Sequence, residues 1–145
     1  MIRLTGPVLA TAALTLEGVP WRLHGRDPLH GLDCIGLLGA AMARAGHPVL
    51  LPSGYPLRLT RLDGWLPDPP TLGFAEATGP IWPGDVVLTR PGPAQFHLAI
   101  ALTGDGGEWI HAHAGLRRVV RSPDLTGTPI ARWRLTADDT QRLKG

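Results

Sequence analysis

From Ile35 to Gly46 the chain runs IGLLGAAMARAG, nearly all apolar or small, with Arg44 the one charge near its end. Asp33 stands before this run, and Gly46 and Pro48 close it. An Asp N-cap, a basic last turn and a Gly/Pro stop describe a buried helix whose first residue is Cys34. A preceding helix is expected from Pro7, suited to a first turn, with Leu9, Ala13 and Leu16 on one face and Gly18 as its stop. The second half of the chain reads differently. Short apolar runs at 86–89, 96–102, 108–113, 119–121 and 130–135 are bounded by Gly, Pro and Asp and predict strands. The Gly/Asp-rich residues 103–107 join the second and third of these into an antiparallel hairpin. Residues 48–83 hold eight of the fifteen prolines and read as a long irregular excursion between helix and sheet. Thr136 is placed to cap a short terminal helix through Asp139. The pattern is α+β: N-terminal helices packed on an antiparallel sheet of about five strands, with a helical tail.

Composition narrows the class. The 145 residues are expected to form one domain, 1–145, large enough to bury a core. A hydrophobic share of 43% against 18% charged places the chain among globular proteins rather than disordered ones. The segment PVLATAALTL is too short, and too soon interrupted by Gly6-Pro7, to read as an export signal. No apolar run reaches 18 residues, so no membrane-spanning helix is expected. Net charge is only +2, and the one basic cluster, Arg117, Arg118 and Arg121, reads as a solvated strand edge or as a contact for an anionic polymer. Aromatic and basic residues do not interleave, which argues against a nucleic-acid partner. One cysteine excludes an intrachain disulfide.

That cysteine carries the candidate chemistry. A lone cysteine in an apolar helix is most often a small core residue. At the first helical position, however, Cys34 would feel the positive end of the helix dipole, and a thiolate is expected there. His97 heads the run HLAIA at the start of a strand, where it could serve a thiol nucleophile as base. The hairpin returns His111 to the neighbourhood of His97, and a second polar residue beside a base holds its ring in the productive tautomer. His113 lies two residues on, so both side chains share one strand face. His-x-His could bind zinc, but no second cysteine, His-Glu-x-x-His helix or acidic cluster completes a site. His113 is better read as lining a cleft, and no metal or organic cofactor is implied. His24, His30 and His47, among Gly, Pro and Arg, read as loop histidines, with His24 and Trp21 close enough to Cys34 in sequence to reach the cleft.

Five segments in order carry a family resemblance: Gly18-Val-Pro-Trp-Arg-Leu-His-Gly25, Asp33-Cys-Ile-Gly36, Gly84-Asp-Val-Val-Leu88, His97-Leu-Ala-Ile100 and Trp109-Ile-His-Ala112. The order and spacing resemble those of NlpC-type cell-wall cysteine peptidases, papain-like enzymes that cut peptidoglycan stem peptides, over roughly residues 7 to 122. The resemblance implies a papain-like fold with the nucleophile at a helix N-terminus, Cys34 as nucleophile, His97 as general base and then acid, and His111 as the residue orienting it. It implies the stem peptide as substrate, cut between D-glutamate and the diamino acid. Trp21 stands where the family has a tyrosine that can contribute to the oxyanion site. Ile35 replaces a serine of the subsite beside the scissile bond. Loss of that hydroxyl predicts a more apolar subsite, tolerant of stems still attached to glycan. Asp33 could pair with a substrate amine, although helix capping explains it as well.

A bare catalytic domain with a hydrophobic residue after the cysteine resembles the peptidases of phage tails and gene transfer agents. That context implies tail-tip or baseplate proteins as partners. It implies a chain made in the cytoplasm without a signal and acting in the periplasm or cell wall. Two other readings stay open: a non-catalytic tail or assembly subunit that retains the fold, and a thiol amidase or acyltransferase on the same scaffold.

Overall fold

In the computed structural model, which describes residues 3–48, 73–91, 97–125 and 127–136, helix α1 spans Gly6–Leu14 and helix α2 spans Cys34–Arg44. Thr5 caps α1, its hydroxyl accepting from the Val8 N–H at 3.4 Å. Leu9, Ala13 and Leu16 are fully buried, the expected face. The helix stops at Leu14, earlier than Gly18, because the Thr15 hydroxyl donates to the Ala12 carbonyl at 2.6 Å and begins a turn. The chain then runs along the sheet edge, where Gly18 N–H donates to Val119 O and Val119 N–H to Val19 O, both at 2.8 Å.

The sheet has six strands, all neighbours antiparallel: β3 (Phe74–Glu76), β4 (Val86–Arg90), β5 (His97–Ala101), β6 (Trp109–His113), β7 (Arg118–Ser122) and β8 (Thr128–Leu135), in the order β3-β8-β4-β5-β6-β7. Two further short strands, β1 (Arg26–Asp27) and β2 (Gly31–Leu32), form a hairpin of their own. The sixth strand of the sheet is β3. It lies inside the proline-rich excursion that reads as irregular, and three residues in such a context carry no period of their own; pairing with β8 makes them a strand. Strand β8 begins earlier than expected, and its register against β4 shifts between Leu88 and Thr89, where Pro129 faces Thr89. Proline has no N–H for a ladder, so the irregularity falls there. Residues 49–72 of the excursion and the helix expected after Thr136 lie outside the described residues.

Both faces of the sheet are covered, which is why 97–101 is apolar without alternation beyond His97. Leu98, Ile100, Ile110, Ala112, Val119, Val86 and Leu88 face the helices and join Leu37, Leu38, Ala41 and Met42 in the main core. Val87, Ala99, Ala101 and Trp109 point the other way and pack with Ile81 and Leu125. At the sheet's β4–β8 side, Asp85 is fully buried between two arginines of β8. Arg134 grips both carboxylate oxygens (Nε to Oδ1 at 2.8 Å, Nη2 to Oδ2 at 2.9 Å), Arg132 Nη1 donates to Oδ2 at 3.0 Å, and Trp82 N–H adds a bond at 3.0 Å. The Gly84-Asp85 segment is thus a clamp between β4 and β8.

Candidate active site

Asp33 sets the entry into α2. Its Oδ1 accepts from the Gly36 N–H at 2.8 Å and from Arg26 Nη1 at 3.0 Å, and its Oδ2 accepts from the His24 N–H at 2.8 Å. The cap therefore also pins the β1–β2 hairpin over the first turn of the helix. The contact is close: a Cβ on Gly36 would collide with the Gly25 carbonyl, and one on Gly25 with the Gly31 carbonyl, so both positions need glycine for space. With its side chain buried and engaged by these three donors, Asp33 does not present a free carboxylate to a substrate amine.

Cys34 follows as the first residue of α2, half-buried. Its sulfur lies against β5. Ala101 bonds toward β4, accepting from Gly84 N–H and donating to Asp85 O, both at 2.8 Å, while Leu102 N–H donates to Glu108 O on the β6 side at 2.9 Å. Backbone alternation turns Leu98 N–H toward β6 as well. The β5–β6 register, however, pairs Ile100 with Ile110 and Ala101 with Trp109, beyond Leu98, and Leu98 N–H meets the Cys34 sulfur. The sulfur thus lies near the Leu98 N–H, one residue along the chain from His97.

Burial there, with the Asp33 carboxylate next to it, pushes the Cys34 thiol up to about 12, although the N–H groups of Leu98, Ile35 and Cys34 itself act the other way. This corrects the expectation of a helix-cap thiolate. A dipole contributes at most about 2 kcal/mol, and desolvating a charged sulfur outweighs it.

His97 and His111 meet edge to face, their centroids 4.9 Å apart and planes at 87°, with His97 Nε2 2.8 Å from His111 Nδ1. Desolvation, followed by the proximity of His111 and His113, pulls His97 down to about 3. Desolvation and His113 lower His111 in the same direction. Both rings are neutral at neutral pH. The other nitrogen of His111, Nε2, lies 3.1 Å from Ser122 Oγ.

The remaining sequence candidates fall in different places. His113 shares the strand face of His111, with ring centroids 5.6 Å apart, but its Nδ1 accepts from the Leu116 N–H at 3.0 Å. It lines a cavity of about 500 Å³ together with His111, Leu116, Arg118 and Ser122. Trp21 is half-buried against the core, its backbone N–H donating to Arg117 O at 2.9 Å. Ile35 is 0% exposed and belongs to the core. The expectation that its side chain shapes a subsite is therefore corrected: the helix turns this position inward, into the core. His24 adopts φ +59° and joins the Asp33 network through its main chain, while exposed His30 pairs with Asp27 at 2.7 Å. Among the described residues, no group of three or more His, Cys, Asp and Glu side chains is placed to hold a metal ion.

Sequence reading missed two participants, Ser122 and Arg26. Ser122 was within reach of it: in an antiparallel β6–β7 pair it faces Trp109, two positions from His111 on the same face. Arg26 has no local signal, because its role depends on a hairpin of two-residue strands.

No protein-family model matches the sequence, and no curated protein sequence matches it. Solved structures do match in shape. The NlpC/p60 domain of the peptidoglycan hydrolase SagA is 23% identical with a TM-score of 0.56, covering 89% of this chain and 97% of that one. The P60 domain of antigen MAP1204 from M. avium subspecies paratuberculosis is 20% identical with a TM-score of 0.56, covering 90% and 93%. NlpC1 from Trichomonas vaginalis is 17% identical with a TM-score of 0.58; the match covers 93% of this chain but 45% of the longer protein. The fold is the papain-like α+β fold of NlpC/p60 domains, with two helices packed on an antiparallel sheet.

Proposed function

We propose that this chain is a cysteine endopeptidase that hydrolyses peptidoglycan stem peptides, with Cys34, His97 and His111 as its catalytic residues. The observation that carries the reading is the 2.8 Å His97–His111 pair at the start of β5, where the next residue's N–H lies near the Cys34 sulfur. Support for the substrate class comes from the SagA domain and from RipB of Mycobacterium tuberculosis, both described as peptidoglycan hydrolases, which share the fold at 23% identity.

The resting site holds a neutral thiol and neutral imidazoles, so the ion pair forms only during reaction. As the sulfur attacks the amide carbonyl, its proton passes to His97, which later delivers it to the leaving amine. The N–H of Cys34 serves the developing oxyanion. His111 holds the His97 ring and stabilises its transient imidazolium. Water then resolves the thioester. The bond we assign is that between the side-chain carboxyl of D-glutamate and the diamino acid, and delivery by a phage-like tail particle, through contacts with tail-tip or baseplate proteins, completes the reading. Trp21 and His113 border the substrate side.

Intact sacculi and free tri- and tetrapeptides incubated with wild type and Cys34→Ala, followed by mass analysis, test this. Products ending at D-glutamate from wild type alone are expected. Cleavage between D-alanine and the diamino acid would overturn the bond assignment. A second reading, a non-catalytic assembly subunit, is favoured by the protonated resting thiol, and absence of any cleavage would decide for it.

A further inference from the structure

We propose that Ser122 is a positioning residue that fixes the proton on both histidine rings and thereby leaves Nδ1 of His97 as the basic nitrogen. The proposal rests on the reading of His97 as base. Ser122 ends β7, opposite Trp109 and on the face that carries His111. Its Oγ lies 2.9 Å from the Asp124 carbonyl oxygen. Two oxygens at that separation need a hydrogen between them, and a carbonyl has none to give, so the Ser122 hydroxyl proton is committed to Asp124. Pro123, between the two residues, restricts the backbone of the turn that sets this bond.

The rest follows by proton counting. His111 Nε2, 3.1 Å from the same Oγ, must be the donor in that contact. A neutral imidazole carries one N–H, so Nδ1 of His111 is a bare acceptor. His97 Nε2, 2.8 Å from it, must then carry the proton of His97, and His97 Nδ1 holds the lone pair. When the thiol proton arrives at Nδ1, the Nε2–H bond to His111 is kept and only strengthens, because its donor becomes cationic. One proton leaves sulfur, one reaches nitrogen, and none travels beyond His97. Without the Ser122 oxygen, His111 is free to take its other tautomer. His97 would then turn its own proton onto Nδ1, where it can accept nothing.

Two-bond ¹H–¹⁵N correlation spectra report histidine tautomers directly and need no substrate. Wild type is expected to show Nε2–H on both His97 and His111 at neutral pH. Ser122→Ala should give mixed tautomers at both rings and lower kcat about ten-fold at unchanged KM, as for loss of an outer hydrogen-bond partner. Ser122→Thr, which keeps the hydroxyl, should restore both. Nδ1–H on His97 in wild type would overturn the proposal, as would Ser122→Ala with unaltered tautomers. If the tautomers follow Ser122 in a protein that cleaves no stem peptide, the positioning stands and the peptidase reading falls.

Discussion

At the β4–β8 side of the sheet Asp85 is buried as a carboxylate with Arg134 on both oxygens and Arg132 on one. At the start of β5, Cys34 and His97 are half-buried and His111 is buried, and the two histidines bond to each other and to Ser122. In the first corner guanidinium groups take the place of the lost water. The second is driven to its uncharged forms, the thiol upward to about 12 and His97 downward to about 3. Burial gives a clamp where counter-charges are supplied and a neutral cluster where they are not.

Substitutions should separate the two corners by what they damage. Cys34→Ala is expected to lower stem-peptide cleavage by about a thousand-fold or more while leaving the melting temperature close to wild type. Asp85→Ala leaves two buried or half-buried guanidinium groups without their carboxylate. It should destabilise the fold by about 3–5 kcal/mol in denaturant titration. Cleavage per folded molecule should change little, and a comparable fall in both quantities would show that the corners are not independent. His111→Ala should lower kcat by about a hundred-fold, with stability changed far less than in Asp85→Ala, since an orienting partner acts on rate.

The pH response sharpens the contrast. His97 falls from an ordinary 6.5 to about 3 on folding, so between those values the unfolded chain binds a proton that the folded chain refuses. Stability is therefore fully present above pH 6.5 and is lost progressively as pH falls toward 3; His111 adds in the same sense. Urea midpoints measured across that window check the slope. An unchanged midpoint in His97→Phe, relative to wild type, would locate the acid sensitivity elsewhere. The smallest effect concerns the thiol: iodoacetamide should label native Cys34 at neutral pH more slowly than the same cysteine in denatured chain.

What the sequence disclosed and what it withheld divides along the reach of each interaction. Asp33 as cap and Cys34 as first helical residue were legible because capping joins residues three apart. The approach of His111 to His97 was legible because a short hairpin fixes it. The protonation state of Cys34 was not, since it depends on how deeply the whole fold buries the sulfur. Strand β3 needed β8, and the inward turn of Ile35 needed the whole core. Asp33 was read as a cap or as a partner for a substrate amine; its cap was legible, while its ties to Arg26 and His24 came from a hairpin too short to predict.

Burial, with the Asp33 carboxylate beside it, holds Cys34 as a thiol, and the first rung of sulfur oxidation starts from the thiolate. Peroxide and disulfide exchange therefore find little to react with in the folded chain. As the chain's single cysteine, it also has no resolving partner of its own. The nucleophile we propose, stored in this form, would keep its sulfur reduced and age slowly between encounters with its target.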